Sequence, residues 1–140
     1  MALRQAARHV TQFYDRYLAP AGLRTTQFSI LAKLQRLGPL TINALARELV
    51  MDRTTLGRTM LPLERDGLIS IKDGSLDRRS KKLHLTKAGV KRVRIAYKMW
   101  REAQTGLEAA FGSKRASNLR NELRAVASSE LEIALERPHR

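Results

Sequence analysis

Hydrophobic residues recur at spacings of three and four over most of the chain, and this period predicts amphipathic helices. The first helix is predicted over residues 3–18, and Pro20 and Gly22 favour its end. The second is predicted to begin at Thr25 or Thr26, because a threonine hydroxyl can cap the free N–H groups at a helix start. Its predicted buried residues are Phe28, Leu31, Leu34 and Leu37.

Two further helices are predicted close together, separated by a tight turn. Thr41 is suited to cap the first of them and Asp52 to cap the second, since both side chains offer an oxygen acceptor. The second helix is predicted to end at Gly67, a residue that adopts positive φ without strain. Its predicted inward residues are Leu56, Met60 and Leu63. The pair has the form of a helix-turn-helix.

Beyond this pair the hydrophobic period changes from helical to alternating. Residues 68–72 and 82–86 therefore predict two short strands on either side of a polar loop, forming a hairpin. Thr86 is expected to cap a long helix that runs at least to about Gly106, and a last helix is predicted over about residues 114–136. The predicted fold class is mainly α with a small β-hairpin.

Composition narrows the classes of function. The chain has 140 residues, the length of one domain, and its 27 Lys and Arg against 13 Asp and Glu leave a formal charge of +14. This excess favours a polyanionic partner, namely DNA, RNA or an anionic membrane surface. The absence of cysteine excludes disulfides, thiolate chemistry and cysteine-containing metal sites. With no bilayer-spanning apolar run and no signal peptide at its start, the chain is expected to be cytoplasmic and not to be inserted in a membrane.

Five motifs stand in a definite order along the chain. They are residues 22–31, 52–56, 63–69, 77–79 and 85–89. With these motifs, the sequence resembles the multiple-antibiotic-resistance-regulator (MarR) family of winged helix-turn-helix transcription factors over about residues 3–136. It departs from the family pattern at Ile71, where many relatives carry a basic residue, and at Pro62 in the recognition helix.

The resemblance implies one domain over residues 1–140. Its winged helix-turn-helix core is expected at residues 25–86, with the wing at about residues 73–80. The terminal segments, residues 1–20 and 87–140, are expected to supply dimerisation helices. A homodimer would present two recognition helices to a pseudo-palindromic operator in double-stranded DNA, which places the protein on the nucleoid.

Candidate DNA contacts follow from groove geometry and from the resemblance. A helix enters the major groove with its N-terminal residues at the base edges, and a cation on a hairpin tip can enter the minor groove. The DNA-binding candidates are Arg53, Thr54, Thr55 and Arg58 in the recognition helix, Asp77, Arg78 and Arg79 in the wing, and Thr41 and Lys87 nearby. The competing interpretation is that these are ordinary helix-start residues and solvated charges.

A basic stripe is also predicted on the long helix. Its members, at spacings of three and four, are Lys87, Lys91, Arg94, Lys98 and Arg101. The stripe is either a solvated face or a surface that attracts DNA.

The family often binds small aromatic or phenolic anions, so an effector of that class is a further expected partner. The candidate pocket residues are His9, Phe13, Tyr17, Tyr97 and Trp100, for which core packing is the alternative. No metal site or cofactor is expected, because the three histidines are far apart in sequence and lack clustered carboxylates. The missing cysteine also excludes peroxide sensing through a thiol.

The sequence bears on three classes of function. The first is a sequence-specific regulator, expected to be a repressor whose DNA affinity responds to a ligand. The second is a nonspecific architectural nucleic-acid-binding protein, which the charge would equally satisfy. An enzyme is disfavoured, because the sequence offers no nucleophile and base pair, no phosphate-binding glycine loop and no paired catalytic carboxylates.

Overall fold

A computed structural model describes residues 1–73 and 81–128. Of these, the residues up to 103 form one compact unit, and residues 104–128 belong to a second. The helices within the described ranges are α1 (Ala2–Leu18), α2 (Thr25–Leu37), α3 (Ile42–Leu49), α4 (Arg53–Arg65), α5 (Lys87–Phe111) and α6 (Ser113–Ala127). The strands are β1 (Leu40–Thr41), β2 (Ile69–Asp73) and β3 (Lys81–Leu85). The predicted class, mainly α with a small β component, is confirmed.

The described strands form one antiparallel sheet in the order β1-β3-β2. Leu83 at its centre lies opposite Leu40 of β1 and Ile71 of β2 and is fully buried. The predicted pairing of β2 with β3 is confirmed, but β1 is an addition to the prediction. A strand of two residues has no alternation to detect, and it exists here only because β3 supplies its hydrogen-bonding partner.

The core of the first unit lies between the helices and one face of the sheet. The largest side chains that it buries completely are those of Leu18, Ile30, Leu31, Leu45, Leu56, Leu63, Ile69, Leu83 and Val93. The prediction that Leu37 is buried is wrong, since 44% of this side chain is exposed. Leu37 is the last residue of α2, and Ile30 fills the core instead.

The start of α2 also differs from the prediction. Neither threonine caps it, because Thr25 is already the first helical residue and Arg24 is the N-cap. The carboxylate of Asp15 accepts hydrogen bonds from the backbone N–H of Thr25, at 2.7 Å, and from its hydroxyl, at 2.6 Å. The side chain of Gln27 accepts a third bond, from the backbone N–H of Arg24 at 3.0 Å. A tertiary contact from α1 therefore replaces the expected local cap.

The other predicted caps are confirmed. The hydroxyl of Thr41 accepts the N–H of Ala44 at 3.1 Å, and Asp52 caps α4. Thr86 accepts the N–H of Gly89 at 3.0 Å at the start of α5. At Gly89 a β-carbon would overlap the carbonyl oxygen of Leu68, so glycine allows α5 to approach the backbone that leads into β2.

The second unit contains the end of α5, which reaches Phe111, and α6. Within this unit Arg120 pairs with Glu108 at 3.1 Å. Three apolar side chains of α6 are 42–49% exposed, namely Leu119, Leu123 and Val126. The prediction extends this helix to about residue 136 and is wrong at that end, because α6 stops at Ala127 and the backbone of Ser128 is extended. Residues 129–140 lie outside the described residues.

Candidate nucleic-acid interface and neighbouring cavity

The N-terminal half of α4 presents polar and basic side chains outward. Arg53, Thr54 and Arg58 are exposed, as a helix that contacts base edges requires. Thr55 is half-buried and is held by Asp52, whose carboxylate accepts its N–H at 2.8 Å and its hydroxyl at 2.7 Å. The hydroxyl proton of Thr55 is thus engaged within the protein, whereas Thr54 points its side chain to the exposed side.

The same contacts act on the titration of Asp52. The hydrogen bond from the Thr55 backbone N–H, and after it the bond from the Thr55 hydroxyl, lowers the pKa of Asp52 below its ordinary value of 3.8. The carboxylate is therefore ionised at neutral pH. A negative charge at this position also stabilises the N-terminus of α4 through the helix dipole.

Sequence reasoning missed two residues on the exposed side of α4. Leu61 is 63% exposed and lies one turn after Gly57 and Arg58. A β-carbon at Gly57 would meet no heavy atom within 4 Å in the described structure. The available signal was the spacing of Thr54, Gly57 and Leu61, which places them on one helical face.

The remaining DNA-contact candidates lie outside α4. Thr41 is half-buried and caps α3, and Lys87 is exposed as the first residue of α5. Asp77, Arg78 and Arg79 lie outside the described residues.

The two strands leading to the predicted wing carry a further basic feature. Lys72 of β2 lies directly opposite Lys82 of β3, and both are exposed. Directly opposed like charges are destabilising in an antiparallel pair unless an anion neutralises them. This lysine pair therefore adds a candidate phosphate contact beside the predicted wing.

A cavity of about 900 Å³ lies between α2 and α5 in the first unit. Its aromatic wall consists of Phe28, Tyr97 and Trp100, whose ring centroids are 5.5–6.3 Å apart. The cations that line it are Lys33, Arg36, Arg94, Lys98 and Arg101. Aromatic rings surrounded by cations are suited to bind a flat aromatic anion.

This cavity changes the interpretation of the basic stripe on α5. Arg94, Lys98 and Arg101 line the cavity, and the Arg101 guanidinium lies 5.0 Å from the centre of the Tyr97 ring. Lys87 and Lys91 are exposed and do not line it. The stripe therefore divides into an N-terminal part that lies outside the cavity and a later part that lines it.

The five predicted effector residues do not share one site within the chain. Tyr97 and Trp100 line the large cavity together with Phe28, which the sequence placed only in the core. Tyr17 lines a separate cavity of about 530 Å³, and Phe13 lies against it with ring centroids 5.1 Å apart. His9 is exposed.

The described part of the chain holds neither a cluster of metal ligands nor a membrane-spanning helix. Within residues 1–73 and 81–128, no group of three His, Asp or Glu side chains is arranged to hold a metal ion. None of the helices in these ranges is long and apolar enough to cross a membrane.

Comparison with known proteins agrees with this geometry. The MarR family model matches residues 23–81. The HTH-type transcriptional regulator YwoH of Bacillus subtilis, itself described as uncharacterized, is 32% identical over 90 residues. That match covers 64% of this chain and 65% of YwoH, just under two thirds of the relative's length.

Solved structures extend the similarity to nearly the whole chain. The M. tuberculosis transcriptional regulator MosR in complex with DNA is 33% identical, with a TM-score of 0.83 and coverage of 97% of this chain and 96% of MosR. NadR in complex with 4-hydroxyphenylacetate is 26% identical, with a TM-score of 0.72 and 92% coverage of both chains.

Proposed function

This chain belongs to the MarR family of transcriptional regulators, and from that membership we propose that it represses transcription by binding a pseudo-palindromic operator as a homodimer. The observation that carries the proposal is the exposed start of α4. Arg53, Thr54 and Arg58 project from a helix whose first turn is fixed by the contact between Asp52 and Thr55. Arginine can bind guanine through both O6 and N7, and threonine offers a hydroxyl and a methyl group to a base edge.

The proposed architecture assigns the chain as one MarR-type domain over residues 1–140. Residues 25–86 form the DNA-binding core, in which Arg79, with Arg78 as the second candidate, enters the minor groove from the wing and Asp77 orients the wing turn. Residues 1–20 and 87–140 dimerise. Exposed apolar side chains on α1, including Leu3 at 58%, and separately those of α6 support this assignment, since a partner subunit would cover them.

The proposed effector is a small aromatic anion bound in the cavity of Phe28, Tyr97 and Trp100. The cations along the wall support this class of ligand, and the NadR complex with 4-hydroxyphenylacetate provides a precedent among structural relatives. Leu49, the last residue of α3, also lines the cavity. Occupancy can therefore act directly on the helix that precedes the recognition helix, and we propose that it lowers operator affinity. His9, Phe13 and Tyr17 do not line this cavity, and a role for them in effector binding stays a prediction.

The proposal is tested in two steps. Duplexes that the protein binds are first selected from a random-sequence pool, and anisotropy titrations at about 0.15 M salt then compare the selected duplex with a scrambled one. Specific binding predicts a preference of at least about 1,000-fold for the selected duplex. Equal affinity for both would instead support a nonspecific architectural protein, which the +14 charge also allows.

Light scattering tests the homodimer separately. Twice the chain mass of 15.9 kDa is expected at micromolar concentration, and the mass of a single chain would contradict the proposal.

A further inference from the structure

Gly57 is unexplained by the packing of the protein itself. It lies in the interior of α4, where glycine destabilises a helix relative to alanine because its backbone loses more freedom on folding. A β-carbon there would meet no atom of the described structure within 4 Å, and the backbone does not have positive φ. Neither a close contact within the described chain nor a special conformation therefore requires glycine at this position.

Leu61, one helical turn after Gly57, is also unexplained by the packing of the protein itself. It is a large apolar side chain, 63% exposed, on a face that is otherwise polar. Gly57 and Arg58 lie three and four residues after Thr54, and Leu61 lies four and three residues after them, so these side chains share the outward face of α4. The buried residues of α4 are Leu56, Met60 and Leu63, on its opposite side.

We propose that Leu61 contacts the 5-methyl group of a thymine in the major groove, and that Gly57 lets α4 approach the base edges closely enough for this contact. The inference rests on the proposed DNA-binding function. The thymine methyl is the apolar group that base edges present in the major groove. Arg58 on this face, and Arg53 exposed in the first turn of α4, supply the positive charge that a DNA partner requires.

The distance between Thr54 and Leu61 along the helix indicates how far apart on the DNA their contacts lie. Seven residues separate Thr54 from Leu61, a rise of about 10 Å along the helix axis. This rise equals about three base-pair spacings of about 3.4 Å when α4 runs parallel to the DNA axis, so Leu61 reaches up to about three base pairs beyond the base proposed for Thr54. Leu61 therefore reads a different base pair and contributes specificity of its own.

Replacement of thymine by deoxyuridine tests the contact, because it removes only the 5-methyl group. In the duplex selected by the wild-type protein, each thymine is replaced in turn and binding is measured by anisotropy. One thymine in each half-site is expected to lose about fourfold in affinity, the effect of one methyl group leaving a buried contact. Leu61→Ala is expected to bind the thymine and uracil duplexes alike.

The control is Leu37→Ala, which truncates an exposed leucine on α2 and is expected to keep the wild-type sensitivity to uracil. The inference is overturned if the wild-type protein shows no thymine whose methyl matters, or if Leu61→Ala retains that sensitivity. It is also overturned if Leu61→Ala changes the mass measured by light scattering, since Leu61 would then belong to a protein interface. Failure of the wild-type protein to select any sequence would contradict the proposed function itself.

Gly57→Ala tests the close approach, because it moves folding stability and DNA affinity in opposite directions. The midpoint of thermal unfolding is expected to rise, while affinity for the selected duplex falls about tenfold through overpacking at the groove. Unchanged affinity would show that α4 does not lie close to the base edges at this residue. A parallel loss of stability and affinity would show that glycine serves the fold instead.

Discussion

The carboxylate of Asp15 on α1 accepts hydrogen bonds from both the backbone N–H and the hydroxyl of Thr25, the residue at which α2 begins. The first helix of the chain therefore fixes the start of the second. Since α2 contributes Phe28 to the cavity and Ile30 to the core, this contact positions both. It also links a proposed dimerisation helix to the proposed DNA-binding core.

Asp15→Ala is expected to lower the free energy of unfolding by about 1 kcal/mol, as the loss of a helix-capping side chain does. The N–H of Thr25 would lose its acceptor, and a negative charge would be removed from the helix start. Urea denaturation measures the change. Asp66→Ala is the matched control, because Asp66 is exposed and pairs only with its neighbour Arg65 at 3.5 Å among the described ion pairs. An equal loss in both variants would contradict the capping role.

Gly89→Ala is expected to destabilise the protein by about 3 kcal/mol, the upper end of an overpacking penalty. The added β-carbon would overlap the carbonyl oxygen of Leu68, and a backbone atom cannot move aside as a flexible side chain can. Gly57→Ala is the control, since it also introduces alanine within a helix but meets open space. It is expected to stabilise the protein by up to about 1 kcal/mol. Thermal unfolding of the two variants should therefore shift in opposite directions.

Because Asp52 caps α4 as a carboxylate, the stability of the folded protein is expected to depend on pH. The pKa of this carboxyl is lowered in the folded protein, so its stabilising effect is present above the unfolded value near 3.8 and is lost as the pH falls below that value. Asp52→Ala should therefore unfold at a lower temperature than the wild-type protein at pH 7, and this difference should shrink at pH 3. Asp52→Asn keeps an acceptor that does not titrate. The difference in unfolding temperature between Asp52→Asn and Asp52→Ala should therefore not depend on pH.

Features that depend on near neighbours in sequence could be predicted. Asp52, Thr41 and Thr86 each cap the helix that follows within three residues, and each was identified from its own type and position. The cap on α2 comes from Asp15, ten residues away and on another helix. Local propensity contains no information about such a contact, so the sequence assigned the cap to a threonine instead.

The cavity also combines residues that are near in sequence with one that is distant, and only the near ones could be predicted to lie together. Tyr97 and Trp100 are three residues apart on α5, and their proximity could be predicted from the helical period. Phe28 joins them from α2, about 70 residues earlier in the chain, through a packing arrangement that only the fold establishes. Leu61 and Gly57 escape prediction for a different reason: a polar or charged side chain is what indicates a DNA contact in a sequence, and neither residue is polar.

Two substitutions are expected to separate base reading from phosphate binding. Arg53→Ala should lower affinity for the selected duplex by about 1–3 kcal/mol while affecting a scrambled duplex much less. Lys87→Ala should weaken both duplexes alike and reduce the slope of log affinity against log salt by about one unit, the signature of one lost phosphate contact. Anisotropy titrations over a range of salt concentrations measure both effects. If Arg53→Ala weakened both duplexes equally, Arg53 would be a phosphate contact.

Trp100 is the only tryptophan of the chain, and it lies in the wall of the cavity, so its fluorescence reports ligand binding there. 4-Hydroxyphenylacetate is expected to change this fluorescence, whereas its neutral amide should bind more weakly because it lacks the charge that the cations attract. Arg94→Gln should weaken binding of the acid about tenfold, as the loss of a charge-assisted hydrogen bond does. Arg47→Gln removes an exposed arginine that does not line the cavity and should leave binding unchanged. Equal binding of acid and amide would show that the cations take no part in recognition.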